Sequence, residues 1–183
     1  MLDTTTMTTA KAPAWHDHLT YGDIVAFRFP LAEEGSAGQP KARPCLILDI
    51  EVRGGQRYAV LAYGTTSRRR SNVGYEVHVR RRDDYISAGL NEPTRFVGAR
   101  RLSVPLTHSG FVMSRAKGSA VIGRLGGAAF DAMNSVRGRI HAEADIAEAR
   151  RARRRTTRRR AGDVVVAARY PRRRSSTGQA VQQ

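Results

Sequence analysis

The sequence predicts a mainly β domain of the α+β class: a small antiparallel barrel of six or seven short strands, closed by one C-terminal helix and followed by a disordered basic tail. Three observations carry this. Short runs of β-branched and aromatic residues recur between Gly- and Pro-rich breaks. The links between them are too short for repeated helical crossovers, so neighbouring strands are expected to run antiparallel. The apolar period also changes once, from strand-like to helical, after Gly126-Gly127. At 183 residues and 40% hydrophobic content, the chain suits one domain with tails and not a large multidomain enzyme.

Residues 1–19 form a leader, Thr-rich at its start and without an apolar signal core, and are expected to be flexible. Tyr21-Gly22-Asp23 introduces a first strand, Ile24 to Phe29, ended by Pro30. Residues 31–43 are rich in Gly, Pro and Glu and read as a long loop. Pro44 to Leu48 is a nearly continuous apolar run, as in a buried strand with Pro confined to its first position. Val52 to Arg57, centred on Gly54-Gly55, is a turn, and Tyr58 to Tyr63 is a third strand that Gly64 stops. Tyr75 to Val79 alternates as Tyr-Glu-Val-His-Val, a half-buried strand. Arg81 to Ala88 makes one or two helical turns ended by Gly89, with Asp83-Asp84 placed where a helix N-terminus favours acids. Phe96-Val97 and Leu102 to Leu106 supply one or two more strands, and Val121 to Leu125 a short last one. Phe130, Met133, Val136 or Arg137, and Ile140 then recur at three- and four-residue spacing, predicting a helix over Ala128 to Ala149. Gly138 inside it costs about 1 kcal/mol relative to Ala and weakens its later turns. The domain so delimited is 20–149.

The charge is uneven. Against 16 Asp+Glu stand 32 Lys+Arg, a net +16, and 29 of the cations are Arg, whose planar fork suits phosphate. A polyanion, foremost a nucleic acid, is the expected partner. Residues 150–183 hold 12 Arg against Asp163 alone. Their runs, among them Arg153-Arg154-Arg155 and Arg158-Arg159-Arg160, repel one another and bring few apolar residues. They therefore read as a disordered nucleic-acid-binding tail, or alternatively as a solvated helix extension. Arg68-Arg69-Arg70 and Arg80-Arg81-Arg82 flank Ser71 to Val79, so a hairpin would join them into a clamp on a nucleic-acid backbone or a solvated face. No stretch reaches the roughly 18 to 20 apolar residues of a membrane helix, so no membrane partner and a cytoplasmic location are expected. With one cysteine, Cys45, and five scattered histidines, no internal disulfide, metal site or other cofactor is expected. His78 falls on a strand face and His108 in a loop.

Four fragments stand in a telling order: Gly22-Asp23-Ile24-Val25, Ala42-Arg43-Pro44-Cys45-Leu46-Ile47-Leu48, Gly64-Thr65-Thr66-Ser67, and Val121-Ile122-Gly123-Arg124-Leu125 before the helix. Together they resemble the MazF/PemK family of toxins from bacterial toxin–antitoxin pairs, over about residues 20–142. The resemblance implies an SH3-like, CcdB/MazF-type barrel. It further implies a homodimer that cuts single-stranded RNA, including mRNA, without a metal and is inhibited by a cognate antitoxin. Arg43 then matches the family's catalytic arginine and Thr65 its catalytic threonine, with Thr66 the substitute if the register shifts by one. Gly35-Ser36 keeps part of the family's loop before the Arg-Pro strand, which makes Ser36 an RNA contact, whereas Arg100-Arg101-Leu102 stands where the family has a Gln-Ile-Arg-like strand. Metal-free cleavage uses the ribose 2′-hydroxyl as nucleophile, so an enzyme stabilises charge on the phosphorane and assists two proton transfers. A permanently charged Arg43 serves the first need, and the Thr65 hydroxyl is a donor. Read as structure alone, Arg43 anchors its own loop and the paired threonines satisfy a turn. The alternative function is a non-catalytic nucleic-acid-binding protein that uses the barrel and the arginine-rich tail.

Overall fold

The computed structural model describes residues 14–30, 40–67 and 72–162, with 156–162 as backbone alone. The chain divides into two units, Met1–Ala142 and Glu143–Gln183, taken here in turn.

The first unit is built on one sheet. Its strands are β1 (Asp23–Arg28), β2 (Ala42–Arg53), β3 (Gln56–Thr65), β4 (Glu76–Val79), β5 (Thr94–Pro105) and β6 (Val121–Arg124). Between β4 and β5 lies the short helix α1 (Arg82–Ser87), and after β6 begins the long helix α2 (Gly127–Gly162). The sheet order is β4-β5-β3-β2-β1-β6, and every neighbouring pair is antiparallel. The sheet curls into a half-barrel, and its edge strand β6 meets the Ala88-Gly89 segment that follows α1. A Cβ on Gly123 of β6 would run into the carbonyl of Ala88, and one on Gly89 into the carbonyl of Ile122, so the closure requires glycine on both sides.

Several elements are longer than their apolar runs. The turn at Gly54-Gly55 is only two residues, and the ladder continues around it through Arg53 opposite Gln56 and Val52 opposite Arg57. Gly64 does not stop β3: it pairs with Phe96 inside the strand, where its missing side chain admits the Pro44 carbonyl and the Phe96 ring. The two predicted pieces around residues 96 and 102–106 are one strand, β5, carried across an irregularity opposite Ala62 and Tyr63. Asp83 and Asp84 do occupy the first turn of α1, but no side-chain cap bond forms, so their contribution is through the helix dipole.

Alternation along the strands makes two apolar faces. On one, Ile24, Leu46, Leu48, Val60, Ala62, Val77, Val79 and Phe96 pack beneath Ala129, Met133 and Val136 of α2. On the other lie Val25, Phe27, Cys45, Ile47, Leu61 and Tyr63, with Val104, Leu106 and Phe111. Within the expected flexible leader, the described residues pack on the domain: Leu19 is buried, and Trp15 packs edge-on to Phe111 with ring centroids 5.3 Å apart. Arg57 holds this stretch by donating to the carbonyls of His16, Asp17 and Leu19. Asp23 has a structural duty: it accepts from the Thr20 amide at 2.9 Å and from Arg124 Nη1 at 2.6 Å, tying β1 to β6. His108 likewise orders its own turn, Nδ1 accepting from the Gly110 amide at 2.9 Å.

In the second unit α2 continues to Gly162, past the Ala149 boundary and past Gly138 without a break. Residues 150–162 are thus helical in backbone, in place of the expected disorder. Alanine and arginine are both good helix formers, and a helix already nucleated by packing gains one hydrogen bond for each residue it adds. From Glu143 to Arg155 the side chains are exposed, apart from a half-buried Ala147. Val164 to Ala168 and the remainder of the tail lie outside the described residues. Among the described residues no helix is long and apolar enough to cross a membrane.

Candidate functional site

The face of the sheet opposite α2 turns polar at one end, and register explains which residues meet there. Directly paired strand residues share a face, so the pairs Cys45–Tyr63, Tyr63–Val97, Thr65–Arg95, His78–Arg95 and Glu76–Val97 put all of these side chains on the same side. Arg43 lies two residues before Cys45 and Thr65 two residues after Tyr63, which brings both to that face at the same end of the β2–β3 pair. The Arg43 guanidinium carbon sits 5.8 Å from the centroid of the Tyr63 ring. Thr65 Oγ1 accepts a hydrogen bond from the Ser67 amide at 3.1 Å, and Thr66 is exposed beside it.

Between the end of β3 and the β4–β5 pair opens a cleft of about 820 Å³, bordered by Thr65, Thr66, Glu76, His78, Arg80 and Arg95. At its base Arg95 Nη1 donates to Glu76 Oε1 at 2.7 Å, the two side chains being 8% and 7% exposed. The second carboxylate oxygen, Oε2, faces His78 Nε2 at 3.1 Å, and His78 Nδ1 lies 3.3 Å from Arg80 Nη2. Burial alone would raise the Glu76 carboxyl. The hydrogen bond and charge of Arg95, joined by the charge and hydrogen bond of His78, outweigh it and hold the group below its ordinary 4.5. Glu76 is therefore a carboxylate at neutral pH. In the neutral form of the ring, Arg80, which only donates, faces the bare lone pair on Nδ1, and the proton on Nε2 points to the carboxylate. Cys45 offers no nucleophile, because burial pushes its thiol to about 12 against the lowering pull of the Gly64 backbone and of Arg43.

The predicted residues distribute as follows. Arg43, Thr65 and Thr66 come together at the polar end of the face, and Arg80 joins them across the cleft, while Arg81 and Arg82 lead exposed into α1. Arg153, Arg154 and Arg155 are exposed on α2 in the second unit, where Arg158, Arg159 and Arg160 are helical in backbone. Ser36, Arg68, Arg69 and Arg70 lie outside the described residues. The sequence alone gave no functional role to Glu76, His78 or Arg95. The signal for two of them was present: the alternation Glu76-x-His78-x-Arg80 aligns three polar groups on one face of a strand whose other face is valine. Among the described residues no group of three or more His, Cys, Asp or Glu gathers as a metal site.

No family model matches the chain, and the search of curated proteins finds no match to it.

Proposed function

We propose that this protein is a metal-independent endoribonuclease that cuts single-stranded RNA in the cytoplasm. On this reading it is a homodimeric toxin of the MazF/PemK kind, held in check by a cognate antitoxin on an SH3-like, CcdB/MazF-type barrel. The observation that supports the reading is the convergence of Arg43, Thr65 and Thr66 at the polar end of one sheet face, beside a cleft that Arg80 and Arg95 also reach. Substrate phosphate lies against the Arg43 guanidinium, whose charge is permanent. As the ribose 2′-oxygen attacks phosphorus, negative charge builds on the non-bridging oxygens and Arg43 stabilises it. Thr65 donates its hydroxyl proton to the same oxygens; the bond it accepts from Ser67 uses a lone pair and leaves that proton available. A donor of this kind is worth about 2.7 to 4 kcal/mol of transition-state stabilisation.

The test is to incubate the purified chain in EDTA with a long single-stranded RNA, beside Arg43→Ala, and to map new 5′ ends. Discrete cuts that disappear in the variant support the nuclease. Intact RNA overturns it. A second reading, a non-catalytic nucleic-acid binder, is favoured by the exposed Arg150, Arg151, Arg153, Arg154 and Arg155 on α2. It predicts RNA that stays whole but is retarded on a gel, with binding lost when residues 150–183 are removed.

A further inference from the structure

We infer that His78 is the general base of the cleavage reaction, oriented by Glu76, which is itself held by Arg95. The inference rests on the endoribonuclease reading and supplies the proton acceptor that Arg43 and Thr65 lack: a guanidinium cannot give up its proton at working pH, and a threonine hydroxyl is no base.

The geometry follows from alternation in β4. Val77 and Val79 are buried under the helix-covered face, so Glu76, His78 and Arg80 must point to the other, into the cleft that Thr65 borders. Arg95 stands directly across from His78 in the neighbouring strand and grips Glu76 Oε1, fixing the carboxylate in one rotamer. Oε2 then takes the Nε2 proton at 3.1 Å, and the imidazole is left with the Nδ1 lone pair as its basic site. Among the described residues, the charged groups that face this imidazole are Glu76 on its own strand, Arg80 just beyond it and Arg95 on β5; from β3 comes the neutral Thr65 hydroxyl. Arg80 is exposed and its 3.3 Å contact with Nδ1 is long, so it exchanges that contact for the anionic phosphate when RNA enters.

The step balances. Nδ1 takes the proton of the 2′-hydroxyl, the bond from the 2′-oxygen to phosphorus forms, and the bond from phosphorus to the 5′-oxygen breaks. That leaving oxygen takes a proton from water. The imidazolium, stabilised by the Glu76 carboxylate, returns its proton to solvent before the next turnover. The products are a 2′,3′-cyclic phosphate and a 5′-hydroxyl.

The experiment measures cutting of a single-stranded RNA in EDTA by the full-length chain, as wild type, His78→Gln, His78→Ala and Glu76→Gln, from pH 5 to 9. The expected result for His78→Gln is a kcat at least about a hundredfold lower with KM little changed, and loss of the acid limb of the pH–rate profile. Added imidazole restores part of the His78→Ala rate, a rescue that a merely structural role would not produce. Glu76→Gln lowers kcat while keeping the acid limb. Wild-type cutting with an unchanged rate and pH profile in His78→Gln overturns this inference and leaves the endoribonuclease reading standing. Failure of the wild type to cut overturns both.

Discussion

Strand β4 carries two different regions of the molecule on its two sides. Val77 and Val79 face the apolar layer beneath α2, where Phe96 and Met133 are fully buried. One residue away, Glu76 and His78 face the cleft, and with Arg95 they keep a buried ion pair. The first face gains stability from area removed from water, about 1.5 to 3 kcal/mol for each large apolar side chain. The second does not gain in proportion, because the desolvation of two charges offsets most of their attraction. The helix-covered face maintains the fold, while the polar end of the sheet holds charges that return little stability for their burial.

The comparison breaks most forcefully through the ion pair. Arg95→Met leaves the Glu76 carboxylate buried without its principal cation and is expected to cost about 3 to 5 kcal/mol in urea unfolding. The double variant Arg95→Met, Glu76→Leu should recover most of that loss yet cut no RNA; recovery of both stability and cutting would place the pair in the fold's service alone. On the opposite face, Met133→Ala is expected to lose about 2 to 5 kcal/mol, while the folded fraction cuts RNA at the wild-type rate. Acid sharpens the contrast. The folded Glu76 carboxyl lies below its ordinary 4.5, so its ionic contribution is complete above that value and is lost as pH falls through the lower, folded one. The gap in unfolding free energy between wild type and Glu76→Gln should therefore narrow below about pH 4, whereas the cost of Met133→Ala should not respond to pH. The smallest effect belongs to Gly138, which is exposed on α2 with open space where a Cβ would stand. Gly138→Ala is expected to stabilise the protein by up to about 1 kcal/mol without changing cutting, as read by thermal melting.

What was legible in the sequence was what periodicity and turn chemistry encode. The succession of strands along the chain, the Gly54-Gly55 hairpin and the helical stripe of Phe130, Met133, Val136 and Ile140 all rest on local spacing. The site was legible only in part. Arg43 and Thr65 lie more than twenty residues apart, and only the β2–β3 register brings them to one end of one face. Nothing local singles out Glu76 and Arg95, because their burial is set by a partner strand and not by their own neighbours in sequence. Gly64 read as a stop because its need for a close approach of the Pro44 carbonyl is a tertiary fact. The end of α2 was misplaced for the converse reason: repulsion among arginines argued for disorder, while the propensity of alanine and arginine carried the helix on to Gly162.

If the polar end of the sheet performs metal-free RNA cleavage through the 2′-hydroxyl, the chemistry of the product ends reveals it. RNA cut by the purified chain in EDTA should carry 2′,3′-cyclic phosphates and 5′-hydroxyls, identified by mass spectrometry, and an RNA with 2′-O-methyl groups throughout should remain whole. Products bearing 5′-phosphates, or cleavage of the methylated RNA, would contradict the account.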